Sequence, residues 1–169
     1  MELRCYNFGN FYMSSIQQGI QAAHGQMEMF NKYAAPLHAI GKDQGSCKAM
    51  LFEWSLNYKT MICLNAGDNA GMLDLIAFLR DEDNYFPFAT FCESEDAMGG
   101  MMTNISIVLS EKIFGVAEKM RRRELVWGDV KSDGTILPIS TTEEFDMYGT
   151  FTEFEFELVN RLRGMGLAR

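Results

Sequence analysis

Ile16, Ile20, Ala23, Met27 and Phe30 recur at spacings of four, three, four and three. That period lines apolar side chains along one face of a 3.6-residue helix, and it predicts a helix over 14–32 with this stripe turned inward. It is the strongest periodic signal in the chain. Ser14 followed three residues later by Gln17 fits a capping box, in which each side chain satisfies an unpaired backbone N–H at the helix start. Just before it, residues 3–8 mix aromatic and aliphatic side chains and run into Gly9 and Asn10, as a short strand ending in a turn does.

The rest of the chain is read outward from that pair. Pro36, Gly41 and Gly45 interrupt the pattern over 33–57, which reads as a connection carrying a short helix. KTMICLN (59–65) is a continuous apolar run of strand length, which predicts a strand in the middle of the sheet, covered on both faces. Met72, Leu75, Ile76 and Leu79 predict a second amphipathic helix. In the next run, 86–92, the early Pro87 suits an edge strand or a strand's first residues. Residues 101–109 alternate with period two, with Asn104 and Ser106 on a more polar face, and form the fourth expected strand. A helix follows over 110–124, then a hairpin turning at Ser132, Asp133 and Gly134. In the last segment Thr141 with Glu144 resembles a helix cap. Tyr148, Phe151, Glu155, Leu158, Leu162 and Met165 keep helical spacing there, although Phe154, Phe156 and Leu158 also alternate as a strand would; helix is the favoured reading.

The fold class this predicts is α/β: a mixed four-stranded central sheet with flanking helices over 1–109. A helix, hairpin and aromatic-rich C-terminal extension over 110–169 is expected to pack on the same domain. With 169 residues, 47% of them apolar, one chain can bury a sizeable core without metals or disulfides. Cys5, Cys47, Cys63 and Cys92 are widely spaced and form no C-x-x-C pair, so they read as reduced thiols; no metal and no cofactor is expected. No apolar run reaches membrane-spanning length and MELRCYNF is not a signal core, which predicts a cytoplasmic protein without a membrane partner. A net charge of −8 repels nucleic acid at long range, so any RNA contact needs a local patch. The dense one is Lys119, Arg121, Arg122 and Arg123, which also closes a predicted helix, where cations complement the dipole.

On the first helix Gln17, Gln21, His24 and Glu28 recur at four, three and four, forming a polar stripe beside the apolar one. The stretch SSIQQGIQAAHGQMEMF, opening a helix after a first strand, resembles the first helix of type II peptidyl-tRNA hydrolases, whose pattern A-x-Q-x-x-H-A is met by Gln21 and His24. The order that follows is also similar to bacterial and viral members of that family: a strand, a helix, the strand FATF, then ESED and a strand beginning MTNISI. Phe91, Glu93, Asp96 and Thr103 fall on the corresponding positions, with Ser94 where those members carry proline. The resemblance covers about 2–109 and nothing beyond Leu109.

The resemblance implies catalytic roles for His24, Asp96 and Thr103, with Gln17, Gln21, Glu93, Gly99 and Gly100 binding the ligand. The site would be a cleft between the first helix and the 93–103 loop. Active members place a lysine seven residues before the histidine; here that position is Gln17, which cannot supply a positive charge to an oxyanion. Three functional readings follow. One is a hydrolase-like protein taking the aminoacylated or peptidylated end of a tRNA, or a small nucleotide, with weak ester hydrolysis. The second is a non-catalytic module of the same fold that sequesters a nucleotide or engages a protein. The third is a homo-oligomer formed through the C-terminal extension, with the aromatic tail 145–162 as interface. His38, beside Lys42 and Asp43, reads as loop polarity.

Overall fold

A computed structural model of the protein describes residues 2–34, 45–140 and 148–167. His38 and the Thr141/Glu144 pair lie outside the described residues. The contacts divide the chain into two compact units, Glu2–Leu109 with Gly166–Arg169, and Ser110–Met165.

The first unit is built on a mixed four-stranded sheet of order β2-β1-β4-β3. Its strands are β1 (Leu3–Gly9), β2 (Met61–Asn65), β3 (Phe88–Cys92) and β4 (Met102–Ser110). β1 and β2 pair in parallel, while β3 and β4 are antiparallel. The helices are α1 (Ser15–Tyr33), α2 (Gly45–Glu53), which runs on into a π-helical turn at Trp54–Tyr58, α3 (Asn69–Leu79) and the single turn α4 (Glu95–Met98). The four apolar positions expected to bury α3, Met72, Leu75, Ile76 and Leu79, are all buried. Met29, Tyr33, Leu51, Trp54 and Leu3 form an apolar cluster with Phe30 packed against it. No described helix is long and apolar enough to cross a membrane.

Two expectations are corrected. KTMICLN does not lie in the middle of the sheet: β2 is an edge strand, with Met61 45% exposed, met on its free side by a bridge from Leu64 to Leu167 and by Asn65 N donating to Gly166 O (2.9 Å). A short apolar run signals a strand but not its neighbours. The centre is held by β1 and β4, and every residue of β4 is buried, Asn104 and Ser106 included.

The second correction concerns α1. The helix and its capping box form where expected, with Ser14 Oγ accepting from Gln17 N and Gln17 Oε1 accepting from Ser14 N. Its apolar stripe, however, faces away from the sheet: Ile16 is 77% and Met27 60% exposed, and Ile20 and Ala23 are exposed too. The buried face is Gln18, Gln21, Ala22, Gly25, Met29 and Tyr33. The reason lies in what opposes it. Asn104 donates to Ser106 Oγ (2.7 Å), Ser106 donates to Asn7 Oδ1 (2.7 Å), and Gln26 of α1 donates to that same oxygen (3.3 Å). Buried amides and hydroxyls need such partners, so a polar sheet surface selects the polar side of the helix. Gly25 makes the approach feasible, since a Cβ there would run into Asn104 Nδ2 and Ser106 Oγ.

The second unit contains α5 (Glu111–Arg121), the hairpin β5 (Leu125–Val130) and β6 (Ile136–Ser140), and α6 (Glu153–Gly164). Gly134 turns the hairpin with φ of +80°, within the predicted turn. The tail is helical, but its cap is Thr152 with Glu155. Phe151, Phe154 and Leu158 are buried within the single chain.

Candidate functional site

On α1, Gln21 and His24 are three residues apart and share a face. At the end of β3, the backbone N–H of Glu93 donates to Met101 O (2.9 Å), which holds Glu93 beside β4's approach. Gln21 Nε2 donates to Glu93 Oε1, and Gln21 Oε1 lies 3.2 Å from His24 Nδ1. A carboxylate only accepts, so Gln21 must turn its NH2 to Glu93 and its carbonyl to the imidazole. In the neutral imidazole this contact favours the Nδ1–H tautomer, with the lone pair on Nε2. The ring rests on Phe91, centroids 4.5 Å apart and planes inclined by 46°, while the histidine as a whole remains exposed. A fixed tautomer with an accessible Nε2 can accept a proton from, or hydrogen-bond to, a bound hydroxyl or water.

The other expected site residues are not gathered here. Gln17 spends its carbonyl on Ser14 N and Ser14 Oγ, both at 3.0 Å, and so serves the cap. Asp96 is exposed on α4, and among the described residues nothing bonds it to His24. In the β3–β4 ladder Phe91 pairs with Asn104 and Cys92 with Met102, which leaves Thr103 as the bulged residue. It is wholly buried and its hydroxyl has no partner. Gly99 and Gly100 adopt left-handed φ values of +60° and +69°, Gly99 as the C-cap of α4. They line a cleft of about 470 Å³ walled by Leu73, Ile76 and Arg80 of α3 rather than by α1. Phe91 faces His24 while Thr90 and Cys92 line that cleft, as strand alternation dictates.

Sequence reasoning missed the polar interior between α1 and the sheet. Asn7 Nδ2, Asn10 Nδ2, Gln18 Oε1 and Thr103 Oγ1 are buried without a partner, all on or beside α1, β1 and β4. The signal was present in the glutamine-rich face of α1 and in Asn104 and Ser106 alternating on β4. Tyr33, at the far end of α1, has its hydroxyl pushed up to about 12 by burial, and burial likewise pushes the Cys5 and Cys47 thiols up.

The basic patch has internal work. Arg121 donates to Leu162 O (3.0 Å), Arg122 pairs with Glu124 (3.2 Å), and Lys119 lies over the Tyr148 ring (5.3 Å). Arg123 sits in the left-handed region at φ of +63°. Compared with known proteins, the chain matches no family model and no curated protein.

Proposed function

We propose that the chain is a peptidyl-tRNA-hydrolase-like protein that takes the aminoacylated or peptidylated end of a tRNA, or a nucleotide, at His24, with weak ester hydrolysis. The observation that carries this reading is the relay from Glu93 through Gln21 to His24, which holds one imidazole tautomer. In that reading Nε2 takes a proton from the water attacking the ester carbonyl, and the Gln21 carbonyl stabilises the imidazolium that forms. The exposed pair Phe11 and Tyr12, with ring centroids 3.9 Å apart, offers a stacking surface for a base near the helix start. The reaction is slow in that reading because Gln17, at the position of the family's lysine, carries no charge for the oxyanion. Losing one such donor costs about 3–4 kcal/mol, or roughly a few hundred-fold in rate.

A second reading, binding without turnover, is favoured by Gln17, which is uncharged and whose side-chain carbonyl is committed to the cap. One assay separates the two: hydrolysis of peptidyl-tRNA and of N-blocked aminoacyl-tRNA by the parent, Gln17→Lys and His24→Ala. Slow turnover that His24→Ala abolishes supports the esterase. No turnover by the parent, with retained affinity for the tRNA, supports the binding module, and absence of both binding and turnover overturns both readings.

A further inference from the structure

β3 is the outer strand of the sheet, and among the described residues its free edge is covered only in part, at Phe88. In an antiparallel ladder alternate residues turn both backbone groups to the neighbouring strand, and those between turn both outward. Pro87 O accepts from Val108 N (3.0 Å) and Glu93 N donates to Met101 O, so residues 87, 89, 91 and 93 face β4. Phe88, Thr90 and Cys92 therefore face out. Phe88 is already covered: its carbonyl accepts from Tyr33 Oη (3.3 Å) and Lys32 Nζ (3.2 Å), and its N–H donates to Tyr33 Oη (3.3 Å). The outward N–H and C=O of Thr90 and Cys92 have no protein partner among the described residues.

Two clefts run along this edge. The one beside Phe88, about 270 Å³, is bounded by Lys32 and Glu28 of α1 and by Arg80 of α3. Arg80 is exposed, has no carboxylate partner among the described residues, and lines the same cleft as Lys32. Lys32 and Arg80 thus face this cleft together with a single lining carboxylate, Glu28. The 470 Å³ cleft beside Thr90 and Cys92 is edged by Leu73, Met98 and Met101, all partly exposed. Methionine side chains repack readily around differing apolar groups.

We propose that the outer edge of β3 binds an extended peptide as an added antiparallel strand, with the peptide's C-terminal carboxylate between Lys32 and Arg80. Main-chain pairing at Thr90 and Cys92 supplies affinity, and an apolar side chain enters the methionine-edged cleft. The carboxylate neutralises the cation pair and sets the direction of the peptide. This site uses none of Gln21, His24 or Glu93, and it stands apart from the reading of that relay.

The test is fluorescence anisotropy with a pool of fluorescein-labelled pentapeptides of Thr and Val ending in Leu, Met or Phe. The pool is prepared as free acids, as C-terminal amides, and with alternate backbone nitrogens methylated. The free acids are expected to bind the full chain, the amides at least about tenfold more weakly, and Arg80→Ala to weaken the acids by a similar factor. Methylation is expected to abolish binding by the register that removes the paired N–H groups. Equal binding of acids and amides, equal binding of both methylated registers, or no binding of the acids at about 1 mM protein would overturn the proposal. Displacement by inorganic phosphate without any effect of methylation would reduce the site to an anion pocket and overturn it too.

Discussion

α1 and α6 are both amphipathic, and both begin with a capping box, yet they bury opposite kinds of face. In α6 the apolar side chains Phe154, Leu158, Val159 and Leu162 are buried, and the same unit supplies Ile113, Phe114 and Met120 of α5 as an apolar interior. In α1 the apolar residues Ile16, Ile20 and Met27 are exposed, and Gln18 and Gln21 go inward against a sheet carrying Asn7, Asn104 and Ser106. A period of 3.6 locates a helix; the chemistry of the opposing surface chooses the face. Of the amides that α1 buries, Gln21 is the one that holds His24, while Gln18 donates to Met13 O (3.2 Å).

The comparison breaks first under truncation. Leu158→Ala is expected to lower unfolding stability by about 3 kcal/mol, because it leaves a cavity in a filled interior. Ile16→Gln, on the equally apolar stripe of α1, should stay within about 0.5 kcal/mol. Equal losses in urea titrations would mean the α1 stripe is covered. The close approach of α1 gives the next effect: Gly25→Ala should cost about 2 kcal/mol, since its methyl meets Asn104 and Ser106, and a neutral result would deny the polar packing.

The two capping boxes sharpen the contrast further. Glu155 is 2% exposed and accepts from Lys112 Nζ at 2.6 and 2.7 Å as well as from Thr152 N at 2.9 Å. Glu155→Ala should cost about 2 kcal/mol, below the usual figure for a broken buried pair because Lys112 retains contact with water. Gln17→Ala, at an exposed cap, should cost roughly 0.5–1 kcal/mol. The last effect is on pH dependence. Burial raises Tyr33 from its ordinary 10.0 to about 12, so the folded state holds the phenolic proton more tightly. Its contribution is full below about pH 10 and is lost as pH rises toward 12. Cys5 and Cys47, also raised by burial from 9.0, should start the decline about a unit earlier. Tyr33→Phe is expected to flatten the upper part of that slope in urea midpoints taken from pH 8 upward.

Much of the architecture was legible. The strand–helix order, the cap at Ser14, the face of α3 and the edge character signalled by Pro87 follow from local periodicity and turn chemistry. Sheet order did not, because the KTMICLN run reads alike at an edge or a centre, and β2 proves to be an edge. The single turn α4 is too short to have a period. Of the site, Gln21, His24 and Glu93 were named in advance, but their joining across 72 residues of sequence is a tertiary fact. Gln17 was read as a ligand-binding residue when its spacing to Ser14 already assigned it to the cap.

The relay itself is most directly tested by nitrogen-15 NMR of the imidazoles, with His24 assigned by loss of its signals in His24→Ala. In its neutral form His24 is expected to be the Nδ1–H tautomer, with Nε2 showing the shift of an unprotonated nitrogen. Glu93→Gln should weaken that preference, since a second amide lets Gln21 turn either way. A His24 found as the Nε2–H tautomer, or unmoved by Glu93→Gln, would contradict the account.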